Sequence, residues 1–127
     1  MIKDVVAKVT ELGLSEKVVF TGVRTDISNL YSAMDVYILP SKWEGFPVTL
    51  VEAQANGLPC VVSSAITPSV KMIPPITQVS LNSTTREWTD SIMSYKNYKR
   101  IPMHEKIIAK GYDVASVAEQ LEKIYLR

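Results

Sequence analysis

The sequence predicts an α/β fold, a doubly wound parallel sheet with helices packed on it. Two observations carry this. Short apolar runs of strand type alternate with amphipathic stretches of helical period, the pattern of consecutive parallel βαβ units. Each run ends at Gly, Pro or polar turn residues that separate it from the next element.

The elements follow in order. Ile2, Val5, Val6, Val9 and Leu12 recur at helical spacing, and Gly13 supplies a stop. Val18-Val19-Phe20, ending at Thr21-Gly22, predicts a first buried strand. Asp26 is placed to cap a helix that carries Ile27, Leu30, Tyr31 and Met34. Val36 to Leu39 is the second strand, stopped by Pro40. A loop from Ser41 to Phe46 leads to Pro47, a suitable first helical residue, and that helix runs to about Asn56 and ends at Gly57. Cys60-Val61-Val62 is a third strand, residues 64–75 are irregular and hold three prolines, and Ile76 to Leu81 is a weaker fourth strand. Thr84 followed by Glu87 predicts a capping box for a helix bearing Trp88, Ile92 and Met93. Two more helices are expected near 102–110 and 113–126.

Bulk properties narrow the function. A chain of 127 residues is one domain, spanning 1–127. Its net charge of +1 gives no long-range field for nucleic acid. The single cysteine, Cys60, sits in an apolar run and reads as a small buried hydrophobe of a reducing compartment. The single histidine, His104, has no Cys or His at metal-ligand spacing and reads as a plain surface residue, so no metal site is expected. No apolar run approaches the roughly 20 residues that span a bilayer, and the N-terminus lacks a signal-peptide pattern. The expectation is a cytoplasmic protein.

The chemistry concentrates in Ser41 to Ala53, at the carboxyl end of one strand and the start of the next helix. Open parallel sheets bind ligands at that edge. The first amides of the helix lack partners within it and its dipole is positive there, so an anion such as a diphosphate fits, and Gly45 lets the backbone come close. Glu44 and Glu52 are eight residues apart, one before the helix and one on its second turn. Helical side chains lean toward the N-terminus, so Glu52 can reach back toward the ligand. A carboxylate beside a diphosphate needs another task, and accepting hydrogen bonds from a vicinal diol of ribose or hexose suits it. The pattern points to a sugar nucleotide.

This segment resembles the Glu-x7-Glu signature of the large retaining glycosyltransferase group called family 4, which has the two-domain GT-B fold. Flanking matches support it: Phe20-Thr21-Gly22, Leu30 to Ser41, and Glu52 to Val62. The resemblance covers roughly residues 8 to 90. The wording around Glu44 to Val48 and at Ile66-Thr67 is most similar to enzymes of capsular or exopolysaccharide assembly. The resemblance implies a Rossmann-like sheet, the C-terminal half of a GT-B fold, that binds a nucleotide sugar and needs no cofactor beyond that donor, a UDP-linked one by family habit. It implies that Glu44 contacts hydroxyls of the donor sugar as the catalytic residue. Gly45, Phe46, Pro47, Val48 and Thr49 would present backbone to the sugar and diphosphate, with the Val48 and Thr49 amides at the helix start. Glu52 would hold the ribose diol, and Gly22, Val23 and Arg24 would border the base. The family's diphosphate-gripping Arg and Lys come from strands upstream, and its acceptor domain is N-terminal. Since the chain opens on a helix and four strands are few, both are expected to precede Met1, and this stretch alone is expected to transfer no sugar. After Val62 the chain reads Ser63-Ser64-Ala65-Ile66-Thr67-Pro68, where the family often has a glycine-rich loop.

Other readings stand beside these. Trp43 reads as packing before base stacking, and Asp35 as structural. The basic stretch Tyr95 to Lys110 reads as a solvated surface, with contact to anionic lipid as the alternative, because family members often use lipid-linked or saccharide acceptors at the inner face of a membrane. A non-catalytic nucleotide-binding regulatory module, or a sugar phosphorylase or epimerase on the same plan, is the alternative function. The chain has no Gly-x-Gly-x-x-Gly after a strand, which counts against a dinucleotide oxidoreductase.

Overall fold

The computed structural model describes residues 2–66, 73–101 and 103–126, and among them the fold is α/β. The helices are α1 (Ile2–Glu11), α2 (Ile27–Ala33), α3 (Val48–Ala55), α4 (Thr85–Met93), α5 (His104–Ala109) and α6 (Val114–Tyr125). The strands are β1 (Tyr37–Leu39), β2 (Cys60–Ser63) and β3 (Ile76–Val79), all parallel, in the spatial order β1-β2-β3. Tyr37 pairs with Cys60 and Leu39 with Val62 on one side of β2; Cys60 pairs with Ile76 and Ser63 with Val79 on the other.

β2 is buried at every position, as a central strand covered on both faces must be. The main core gathers Leu50 and Ala53 of α3, Leu58, Cys60, Val62 and Ile66, and Tyr31 of α2. A smaller cluster of Ile73, Met103 and Ile107 seats α5 against Val51 of α3. The buried Gln54 ties the two together: its amide nitrogen donates to the Leu50 carbonyl, and its carbonyl accepts the Ile73 amide.

The chain closes α3 as its sequence dictates. Asn56 is the C-cap, Gly57 follows with φ +74°, the Gly57 amide bonds the Gln54 carbonyl at 2.9 Å and the Leu58 amide bonds the Ala53 carbonyl at 3.1 Å. That pair of bonds is the Schellman arrangement, and it needs a residue that tolerates positive φ. The capping box of α4 forms as read, with the Thr84 hydroxyl accepting from the Glu87 amide and the Glu87 carboxylate accepting from the Thr84 amide.

Several expectations are corrected. Val18 to Phe20 is not a strand. The Val18 amide turns back to the Leu14 carbonyl at 3.1 Å, and Val19 is 83% exposed. An apolar run becomes a strand only where a ladder takes its backbone groups, and no described strand lies against it. Among the described residues the sheet therefore has three strands rather than four, and the third ends at Val79, short of the exposed Leu81. Asp26 occupies the N-cap position of α2 without capping it, because its carboxylate is taken by Arg24. Pro47 is the N-cap of α3 rather than its first residue, its carbonyl accepting from Leu50 at 2.9 Å. Trp43, read as packing, is 80% exposed in the loop before α3. Cys60 is fully buried, as expected. Thr67, Pro68 and the His104 side chain lie outside the described residues. No described helix is long and apolar enough to cross a membrane.

Candidate functional site

The loop from Pro40 to Pro47 carries the chain from the carboxyl end of β1 into α3, so β1 and α3 together set where the acidic pair stands. Glu44 is half-buried in that loop, its Oε1 accepting a 2.6 Å hydrogen bond from the Ser41 hydroxyl. Gly45 is exposed beside Trp43. Phe46 is half-exposed and leans on Tyr112, ring centroids 5.9 Å apart. The buried Pro47 fixes the start of α3. The Val48 amide bonds back to the Phe46 carbonyl at 2.9 Å, so a diphosphate at this helix start would exchange that bond for its own.

On α3, Thr49 and Glu52 stand one turn apart on the face toward α2 and β1. The Tyr37 hydroxyl donates to Thr49 Oγ1 at 2.8 Å. The Tyr31 hydroxyl lies 3.1 Å from Glu52 Oε2 and 3.2 Å from the Thr49 carbonyl. The two tyrosine rings meet edge to face with centroids 6.0 Å apart. Burial above all, then the bond to Glu52, pushes the Tyr31 phenol well above its ordinary range, so it is a permanent donor at neutral pH. Burial also raises Tyr37, against the opposing pull of its Thr49 bond.

Glu52 opens onto a cavity of about 300 Å³ between α2 and α3, lined by Ile27, Ser28, Tyr31, Glu52, Ala55 and Asn56. Asn56 is held there by Arg100, whose Nη1 donates to Asn56 Oδ1 at 2.7 Å. Gly22, with φ +62°, and the fully exposed Val23 lie in the loop that enters α2, the far wall of this cavity. Arg24 is engaged with Asp26 through two bonds, Nε to Oδ1 at 2.7 Å and Nη2 to Oδ2 at 2.6 Å. That exposed fork raises the Arg24 pKa and lowers that of Asp26.

The structure therefore joins Thr49 and Glu52 through the tyrosines. It keeps Glu44 in its own loop contact with Ser41, and the cavity lining includes neither Glu44 to Thr49 nor Gly22 to Arg24. Sequence reasoning passed over Tyr31, Tyr37 and Asn56. Tyr31 was counted as an apolar helix position, yet a tyrosine where a leucine would pack signals a hydroxyl that must find a partner. The basic stretch also differs from a uniform solvated surface: Arg100 turns inward to Asn56, Tyr95 shares a 2.8 Å hydrogen bond with Thr77, and the Tyr95 and Tyr98 rings pack together. Among the described residues no group of three His, Cys, Asp or Glu is placed to hold a metal ion.

Comparison with known proteins places this stretch. Residues 3–74 match the family described as glycosyl transferases group 1, and every site residue named above from Gly22 to Glu52 falls within the match. EpsF of Bacillus subtilis, named as a glycosyltransferase, is 35% identical over 116 residues, 88% of this chain and 30% of that protein. The D-inositol 3-phosphate glycosyltransferase of Corynebacterium aurimucosum is 30% identical over 122 residues, 91% of this chain and 29% of that protein. The UDP-Gal:alpha-D-GlcNAc-diphosphoundecaprenol alpha-1,3-galactosyltransferase of Escherichia coli is 47% identical over 55 residues, 43% of this chain and 14% of that protein. The chain thus spans less than a third of the length of each of these relatives.

Proposed function

The chain belongs to the group 1 glycosyltransferases, and from that premise we propose that it is the donor-binding domain of a retaining hexosyltransferase of cell-surface glycan assembly. The observation that carries this reading is Glu52: its carboxylate stands at the wall of a cavity able to take part of a nucleoside, on the helix that the Glu44 loop enters. Glu52 accepts the ribose hydroxyls and Glu44 meets the hydroxyls of the sugar. The backbone from Gly45 to Thr49 lies along the sugar and diphosphate, and Gly22 to Arg24 borders the base. A donor linked to UDP and a lipid-linked acceptor at the inner face of a membrane are the substrates this reading favours. The name of the Escherichia coli relative, with its UDP-galactose donor and diphosphoundecaprenol acceptor, supports both.

The glutamate of the sugar separates this reading from a module that binds nucleotide without catalysis. A site for nucleotide alone has no use for Glu44. NMR titration of the chain with UDP should shift amides clustered at Gly22 to Arg24 and Gly45 to Glu52. Glu52→Gln exchanges a charged acceptor for a neutral one, about 1 kcal/mol per hydrogen bond, and for the two ribose hydroxyls about 2 kcal/mol, or roughly thirtyfold weaker UDP binding. Glu44→Gln should leave UDP binding unchanged and weaken a UDP-hexose. Shifts scattered over the surface, or a Glu52→Gln variant that binds UDP as the parent does, would overturn the assignment.

A further inference from the structure

An exposed glutamate in mid-helix ordinarily swings through several rotamers, and holding it still on binding costs entropy. Glu52 is not in that condition. Its Oε2 is 3.1 Å from the hydroxyl of Tyr31, a residue only 6% exposed, and the same hydroxyl is 3.2 Å from the Thr49 carbonyl one turn earlier on α3. The Tyr31 ring is itself wedged edge-on against Tyr37, whose hydroxyl reaches Thr49 Oγ1 at 2.8 Å. Two aromatic side chains from α2 and β1 thus grip the Thr49–Glu52 turn of α3.

We infer that Tyr31 is a positioning residue for Glu52, holding one carboxylate oxygen so that the other faces the cavity ready for a ligand hydroxyl pair. Of the two acceptors within reach, the carboxylate is the stronger, because a charge-assisted bond is roughly twice as strong as a neutral one. A tyrosine serving only to fill the core would have no reason to end on the one carboxylate that lines the cavity, and phenylalanine would pack as well. The inference rests on the donor-site reading of Glu52 and adds the residue through which that site is set.

The test measures affinity of the full chain for UDP and for 2′,3′-dideoxy-UDP, which lacks the diol. Four proteins are compared: the parent, Tyr31→Phe, Glu52→Gln and the double variant. Tyr31→Phe should weaken UDP about three- to tenfold, leave dideoxy-UDP unchanged, and add nothing once Glu52 is glutamine. If Tyr31→Phe weakens both nucleotides alike, or its effect multiplies fully with that of Glu52→Gln, Tyr31 is merely structural and the inference fails. If Glu52→Gln weakens UDP and Tyr31→Phe does not, this inference falls while the donor-site reading stands. If UDP does not bind, or Glu52→Gln changes nothing, both fall. Side-chain ¹³C relaxation at Glu52 in the unsubstituted chain decides the point even if Tyr31→Phe unfolds. A held carboxylate is nearly as ordered as the helix backbone, whereas a freely reorienting one, with an order parameter below about 0.6, overturns the inference.

Discussion

Replacing Gly57 by alanine should be among the more damaging single changes in this chain, for two separable reasons. The first is conformational: φ at Gly57 is +74°, and an L-residue held there loses roughly 1–2 kcal/mol. The second is steric. A Cβ on Gly57 would lie 2.6 Å from the Ile101 carbonyl oxygen, 3.6 Å from its carbon and 3.7 Å from Arg100 Cβ. Backbone is on the receiving side, so the segment leading into α5 must move, at about 1–3 kcal/mol. Restricting the unfolded chain returns about 0.4–1 kcal/mol. The net loss is about 1–5 kcal/mol, or a fall in midpoint of roughly 3–25 °C for a chain of this length. Gly13 and Gly22 share positive φ, +66° and +62°, with nothing within 4 Å of the added carbon. Alanine at either should cost only about 1 kcal/mol. Thermal unfolding followed by far-UV circular dichroism on the three variants isolates the steric part. If Gly57→Ala melts no lower than Gly13→Ala, the close approach of Ile101 to the end of α3 is wrong.

Other consequences follow from single contacts. Thr84→Ala removes a side chain that caps α4 and should cost about 1 kcal/mol, read from urea unfolding. Glu87 carries the pH dependence of the same cap. Its pKa is lowered from the ordinary 4.5 by the Thr84 backbone bond and then by the Thr84 hydroxyl. The stability it lends is therefore present above about pH 4.5 and lost as pH falls through the lower folded value. Unfolding midpoints measured from pH 6 to pH 3 should decline less steeply in Glu87→Gln than in the parent. Cys60 is fully buried, and burial pushes its thiol up to about 12. A disulfide reagent at pH 8 should label it only as fast as the chain opens, and the rate should rise with added urea. Prompt labelling of the native chain would contradict the buried β2.

The parts of this fold that could be read from the sequence are those fixed within one turn or one strand. The Thr84 and Glu87 pair needs only three residues to make its reciprocal bonds, so the box appears where the letters put it. Gly57 ends α3 because the Schellman bonds from Gly57 and Leu58 need a positive φ at that one position. Cys60-Val61-Val62 reads as a strand, and its uninterrupted apolar run with no face to offer water suits the buried central place it takes in the sheet. Val18 to Phe20 shows the same reasoning failing. Its letters are equally apolar, but a strand is a relation between two segments, and here the Val18 amide bonds back into a turn while no described strand lies alongside. Asp26 fails in a related way: a capping carboxylate competes with any nearby guanidinium, and Arg24 two residues earlier offers a two-bond fork that the helix amides cannot match.

The site divides along the same line. The Glu44 to Glu52 spacing is a property of one loop and one helix, so a sequence states it completely. What makes Glu52 different from any other helical glutamate is Tyr31, 21 residues earlier on another helix, and no period or spacing records that contact. It depends on how α2 lies across α3, which the core residues Leu50, Ala53 and Leu58 settle together with the Tyr31 ring. The core and the site therefore share a side chain: the ring of Tyr31 is packing, and its hydroxyl sets the carboxylate. Stability and ligand affinity should separate at that residue, since Tyr31→Phe keeps the ring that packs and loses the hydroxyl that holds Glu52, weakening the ligand more than the fold, while a change to a small residue such as alanine would cost both.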